Sequence, residues 1–133
     1  MMDCLKLNLS DEEIGNMGSL ALAYIGDAVF ELLIRTWVCK NKAITSKKMH
    51  RVSVSLVNAH AQSVFSEKIM TGLSDEETAV FKRGRNAKVN AVPKNASVSD
   101  YHRATGLEAL LGYLYLKGRD ERIKELFEKM IEE

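Results

Sequence analysis

The stretch Ala21-Leu-Ala-Tyr-Ile-Gly-Asp27-Ala-Val-Phe-Glu31, continued by Leu32, Leu33, Ile34 and Trp37, is the most apolar segment of the chain. Leu20, Leu22, Tyr24, Ile25, Ala28, Val29 and the residues just named wrap most of a helical circumference. That is the pattern of a helix buried among others, not of one lying on a surface. Ser19 is suited to cap its start, and the helix is expected to run to about Lys40.

Working outward, Ser10-Asp-Glu-Glu13 and Ser74-Asp-Glu-Glu77 share a Ser-x-x-Glu pattern. In it the serine and glutamate reciprocally satisfy free backbone amides at a helix start. The first helix must be short, because Gly15 and Gly18 interrupt it. Thr45 opens another, with a break expected near Ser53 to Ser55, and its later part carries Leu56, Val57, Val64, Phe65 and Ile69 at helical spacing before Gly72. The helix after Ser74 uses Val80 and Phe81. From Gly84 to Ser99 the periodicity fades, and Pro93 with Asn86, Asn90 and Asn95 predicts a connecting loop, long for a small domain. Such loops often carry function. Leu107, Leu110, Leu111, Leu114 and Tyr115 predict a helix from about Asp100 to Lys117 that Gly118 ends, and Ile123, Leu126, Phe127, Met130 and Ile131 a final amphipathic one. Tyr24, Tyr113 and Tyr115 sit at core spacing. No strand pair, repeat or low-complexity tract is apparent. The expected fold class is all-α: a single compact helical domain of about six helices over residues 1–133.

Composition narrows the class. At 133 residues, with 46% hydrophobic and 28% charged content and one proline, there is room for one ordinary domain and too much apolar character for disorder. No uncharged apolar run approaches the roughly 18 residues of a membrane span. Met1, Met2, Asp3, Cys4 followed by Leu5, Lys6 and Leu7 lacks the basic-then-apolar order of a secretory signal. Cys4 and Cys39 have neither CxxC spacing nor neighbouring histidines, so zinc and disulfide frameworks are not indicated and a cytoplasmic location is expected.

The net charge of +1 conceals a separation of signs. Between Glu31 and Glu67 there is no acid, while Arg35, Lys40, Lys42, Lys47, Lys48 and Arg51 stand unopposed. Between Glu77 and Asp100 the same holds for Lys82, Arg83, Arg85, Lys88 and Lys94, so that eleven of the nineteen bases fall in two acid-free stretches. In Lys82-Arg-Gly-Arg-Asn-Ala-Lys88 the glycine permits close backbone approach and the arginines can fork onto phosphates. Bases gathering at a helix C-terminus explain two or three of these charges, not five.

Asp27 is a lone acid in the most apolar helix, where an unpaired carboxylate costs several kcal/mol or is forced neutral. Glu108, in Thr105-Gly-Leu-Glu108-Ala-Leu-Leu-Gly-Tyr-Leu, poses the same question. Each can be a hydrogen-bonded polar group of the core. The alternative is a hydrated Mg²⁺, which takes oxygen ligands and is typically held by one or two carboxylates plus substrate phosphates. Two such acids beside a basic stretch favour the metal. Glu31, one turn beyond Asp27, is a secondary candidate, although an ion pair with Arg35 accounts for it more simply. His50, His60 and His102 are too dispersed for a ligand cluster and read as surface or structural groups.

Leu22-Ala-Tyr-Ile-Gly-Asp-Ala-Val-Phe-Glu-Leu32 resembles the signature helix of the ribonuclease III family, Leu-Glu-Phe-Leu-Gly-Asp-Ala-Val-Leu-Glu-Leu. Leu107-Glu-Ala-Leu-Leu-Gly-Tyr-Leu-Tyr-Leu116 resembles its second acidic segment, Asp-x-Phe-Glu-Ala-Leu-Ile-Gly-Ala-Ile-Tyr-Leu. The chain length, the lack of a following double-stranded-RNA-binding domain, and Lys82–Lys88 followed by Pro93-Lys-Asn95 are similar to the Mini-ribonuclease III branch.

The resemblance implies an all-helical endonuclease that dimerises through its signature helix and uses Mg²⁺ to hydrolyse both strands of an RNA duplex, leaving 5′-phosphate and 3′-hydroxyl ends. It implies Asp27 and Glu108 as metal-binding catalytic acids, and a role in maturing the large-subunit (23S) ribosomal RNA precursor. Lys82, Arg83, Arg85, Asn86, Lys88 and Lys94 are then the expected RNA-binding residues. The family's glutamate four residues before the aspartate is here Ala23, and its aspartate three residues before the second glutamate is Thr105, whose hydroxyl is a secondary candidate ligand. Weak, substrate-assisted metal binding is expected. Loss of two acids also leaves open a catalytically silent RNA-binding or ribosome-associated module of the same fold.

Overall fold

The computed structural model describes residues 7–41, 45–88 and 91–132; Cys4, Lys42, Asn90 and the start of the chain read above for a signal lie outside them. Seven α-helices follow in order: α1 Asp11–Gly15, α2 Ser19–Asn41, α3 Ser46–Val57, α4 Ala59–Ile69, α5 Asp75–Arg85, α6 Val98–Leu116 and α7 Asp120–Ile131, with a 3₁₀ turn at Met70–Gly72. No strand occurs among the described residues, so the all-α expectation holds.

Helix starts follow the chemistry of their caps. Both predicted capping boxes form: Ser10 Oγ accepts from Glu13 N at 3.1 Å, and Ser74 Oγ from Glu77 N at 3.1 Å, each glutamate reaching back to the serine amide. Thr45 caps α3. Ser19 is itself the first residue of α2 rather than its cap. The break expected at Ser53–Ser55 falls instead at Asn58. Its extended backbone (φ −69°, ψ 164°) ends α3, and its Oδ1 accepts from Ala61 N to start α4. Two spaced serines are tolerated inside a helix; a side chain that replaces a missing backbone partner is what divides one. Gly118, at φ +72°, closes α6 in the left-handed conformation that glycine adopts without strain.

Helix α6 is central, packed on α2, α4, α5 and α7. Leu107, Leu110, Leu111 and Leu114 are fully buried, and with Phe30, Ile34, Phe65, Phe81, Leu126 and Met130 they form the main core. Two glycines set the α2–α6 crossing: a Cβ on Gly26 would lie 1.6 Å from the Glu108 carbonyl oxygen, and one on Gly112 2.0 Å from that of Leu22. The two backbones therefore touch. A second pair of glycines brings α5 onto α6, where a Cβ on Gly84 would lie 2.7 Å from the Ala109 Cβ and one on Gly106 2.8 Å from the Phe81 carbonyl oxygen.

Two expectations are corrected. First, α2 is not buried all round. Leu22, Ala23, Gly26, Phe30, Ile34 and Val38 face the core, but Tyr24 is 84% exposed, Leu32 67% and Leu20 46%. One chain covers one side of this helix, and residue type alone does not distinguish an apolar side packed inside the chain from one left outside it. Second, the loop expected from Gly84 starts later: Gly84 and Arg85 complete the last turn of α5, which also carries Lys82 and Arg83. Gly84 is buried against α6, so it serves helix packing, not access to phosphates.

Glu77 does more than complete its capping box. It is buried, and the Arg122 guanidinium from α7 grips both of its oxygens at 2.8 Å while also donating to the Gly72 carbonyl at 2.8 Å. Replacing Arg122 by Met strands that carboxylate, with an expected loss of about 3–5 kcal/mol and a fall in Tm of about 10 °C or more. Thermal denaturation followed by circular dichroism tests this; a Tm within about 2 °C of the parent would show that the pair contributes no net stability.

Candidate active site

The backbone contact between α2 and α6 decides where the two acids stand. Asp27 follows Gly26 directly, and it is the carbonyl of Glu108 that fits into the space left by the missing Gly26 side chain. The two carboxylates consequently meet in one cleft of about 410 Å³, walled by Asn58, His60 and Gln62 from α4 and its cap, by Pro93, Asn95 and Ser97 from the α5–α6 connection, and by Thr105 from α6.

Their environments differ. Asp27 is exposed, which corrects the expectation of a buried acid: it lies on the outward side of α2, at the cleft. Glu108 is the desolvated member. Burial first, then the charge of Asp27 and a hydrogen bond with it, push the Glu108 carboxyl up to about 8; the Gln62 amide is the one group that opposes them. In the metal-free protein at neutral pH, Glu108 therefore carries a proton and shares it with Asp27. Such a pair, with no basic side chain among the groups that act on Glu108, has the donor chemistry of a site for a hard divalent cation.

The shift has a measurable sign. Unfolded, Glu108 ionises near the usual ~4.3. Its extra proton favours the folded state fully below that value, and the benefit fades as pH rises and is gone above about 8. In EDTA, stability relative to Glu108→Gln is expected to fall across this window by on the order of 3 kcal/mol once solvent screening is allowed for. Denaturant melts at both ends of the window check this; parallel pH profiles for the two proteins would contradict it.

The remaining candidates separate cleanly. Glu31 pairs with Arg35 at 2.6 Å, as its simpler explanation required, and does not line the cleft. Thr105 lines it, its hydroxyl donating to the Tyr101 carbonyl at 3.0 Å. No group of three or more His, Cys, Asp or Glu able to hold a metal exists among the described residues. Asp100 also lines the cleft but is paired with His60 at 3.0 Å, which leaves Asp27 and Glu108 as the candidate acids for a cation whose other positions waters and substrate oxygens would fill.

Lys82, Arg83, Asn86, Lys88 and Lys94 are exposed, and Arg85 is half-buried with its Nε 3.2 Å from Asn86 Oδ1. Arg85 and Asn86 border a separate hollow with Ser99, His102 and Arg103. The connection that begins among these bases ends at the cleft rim, through Pro93 and Asn95. Sequence reading missed the α4 wall. His60, read as a surface group, is exposed but pairs at 3.0 Å with Asp100, and both line the cleft. Gln62 gave no signal as a neutral residue on a helix, although its place after the Asn58 cap could have marked it.

Comparison with known proteins agrees with this geometry. The family model described as "Ribonuclease III domain" matches residues 20–119, and a Mini-ribonuclease 3 of Clostridium tetani is 48% identical over 90% of this chain and 80% of its own length. The chain belongs to the Mini-ribonuclease III branch of the ribonuclease III family. Other Mini-ribonuclease 3 relatives include those of Thermoanaerobacter, 43% identical over 93% of this chain and 87% of that one, and Staphylococcus aureus, 37% identical over 93% and 94%. A crystal structure of a Fusobacterium nucleatum protein, 33% identical, superposes with a TM-score of 0.79 over 89% of this chain and 94% of that one. Ribonuclease III enzymes are double-strand-specific endoribonucleases, and in this Mini-ribonuclease III chain both acidic segments contribute their carboxylates to one cleft.

Proposed function

We propose that residues 1–133 form one catalytic domain that cleaves RNA duplexes with Mg²⁺ held by Asp27 and Glu108. The observation that carries this is the pairing of those two carboxylates at the α2–α6 crossing, one exposed to substrate and the other desolvated. The cation supplies electrophilic activation of the phosphodiester and a more acidic water. Glu108, which would otherwise hold a proton, ionises to receive it, and Asp27 stands at the open side where a phosphate can approach. Lys82, Arg83, Arg85, Asn86, Lys88 and Lys94 grip the duplex through phosphates and shape, because the A-form major groove excludes side chains. Hydrolysis leaves 5′-phosphate and 3′-hydroxyl ends.

A homodimer through α2 follows from its uncovered apolar side at Leu20, Tyr24 and Leu32. A twofold pair presents two clefts to one duplex, so both strands are cut. Precursor large-subunit (23S) ribosomal RNA in the cytoplasm is the substrate we infer from the Mini-ribonuclease III branch; no described helix is long and apolar enough to cross a membrane. The second reading, a catalytically silent RNA-binding module, is favoured by one observation: no group of three or more His, Cys, Asp or Glu able to hold a metal is found among the described residues. Incubation with a duplex bearing a large-subunit precursor stem, with Mg²⁺ or with EDTA, separates the two. Cleavage on both strands in Mg²⁺ alone is expected; binding without cleavage would leave the silent module.

A further inference from the structure

Gln62 is unlike the other residues of α4. It is 4% exposed, it walls the cleft, and its amide is oriented by a fixed partner: Nε2 donates to the Val57 carbonyl at 2.8 Å, at the end of α3. The second hydrogen of the same nitrogen is directed to Glu108 Oε2, at 3.5 Å. Because Val57 claims the nitrogen, the amide cannot turn over without setting two oxygens against each other, and Oε1 is committed to the opposite direction. There it is buried and has no hydrogen-bond partner in the protein; the described chain holds only one other such side-chain atom, His102 Nδ1. A buried acceptor left unmatched costs about 1–3 kcal/mol, so the orientation of this amide is held at a cost to stability.

We propose that Gln62 is a positioning residue for the carboxylate pair, its amide N–H holding Glu108 in the orientation that receives a divalent cation. This rests on the reading that Asp27 and Glu108 bind a cation. A purely architectural role, tying α3 to α4 through Val57, is the competing account, and it predicts lost stability without a change in metal binding.

Mn²⁺ titration of the RNA-free protein, read by water-proton relaxation, distinguishes them. Gln62→Met keeps the volume and removes both polar groups; its half-saturation is expected to rise about tenfold, the lower end of what removal of an outer ligand partner does to metal affinity. Gln62→Glu, whose new oxygen must turn from the Val57 carbonyl toward the pair, adds a third carboxylate there, so its half-saturation is expected to fall below the parent's, an inversion that a structural role does not produce. Arg122→Met, destabilised at residues that do not line the cleft, should titrate like the parent. In cleavage assays, Gln62→Met should need about tenfold more Mg²⁺ yet come within about threefold of the parental rate at saturation.

Equal titrations for Gln62→Met and the parent, or the same weakening in Arg122→Met, overturn the assignment. Should Gln62→Met fail to fold, Gln62→Glu decides alone, and weakened Mn²⁺ binding in it counts against the proposal. If the parent itself neither binds Mn²⁺ nor cleaves, the cation-site reading falls and this inference with it. If the parent does both and the Gln62 variants match it, only the role of Gln62 is lost.

Discussion

Asp27→Asn should lower the rate of duplex cleavage by at least about 10³-fold, since a cation held by two protein acids loses one of them together with several kcal/mol of transition-state stabilisation. The fold should barely notice. Asp27 is exposed, and a near-isosteric substitution there is expected to change stability by less than about 0.5 kcal/mol. RNA affinity should hold within about twofold, because phosphate contacts dominate binding and the basic residues are untouched. Single-turnover cleavage at saturating protein, with a parallel gel-shift measurement, tests both halves. A variant cutting at the parental rate would remove Asp27 from the chemistry, and one that no longer bound RNA would place it in recognition.

The largest effect on folding is expected from Gly26→Ala. Its new methyl group would lie 1.6 Å from the Glu108 carbonyl oxygen, so α2 and α6 must part by about 2 Å to restore an ordinary contact. Their interface is the most extensive in the molecule. Opening it forfeits packing along both helices, a loss expected to exceed about 5 kcal/mol and so to consume most or all of the stability of a domain this size. Gly112→Ala, at 2.0 Å from the Leu22 carbonyl oxygen, should behave alike, whereas Gly15→Ala, with nothing within 4 Å, should stay within about 0.5 kcal/mol of the parent. Circular dichroism and urea denaturation suffice. A cooperative transition near the parental midpoint for Gly26→Ala would mean that the helices do not cross so tightly.

How far the sequence discloses this protein depends on the kind of residue. Capping boxes, Gly118 and the leucine spacing of α6 act locally, and each is where its chemistry places it. Asn58 does not stand out beside Ser53 and Ser55 because a cap is recognised by what it bonds, not by polarity alone. Gly84 reads as room for a phosphate to approach the backbone, though it is a neighbouring helix that needs its empty space, a tertiary demand that overrides propensity. Asp27 and Glu108 stood out as acids among apolar residues, and they do share one cleft. Yet only the three-dimensional arrangement shows that Glu108 alone is desolvated. Gln62 could not stand out, because a neutral amide becomes informative only when both of its ends can be followed to partners.

The seat of Gly84 against α6 has one more consequence. The basic last turn of α5 and the helix that bears Glu108 are clamped together, so the handhold and the place of scission that we propose would move as a single piece. Such an enzyme would select its cut as a caliper does, by a fixed span from where the backbone is grasped, and a duplex whose helical pitch is locally altered would be nicked out of step even with an unchanged base sequence.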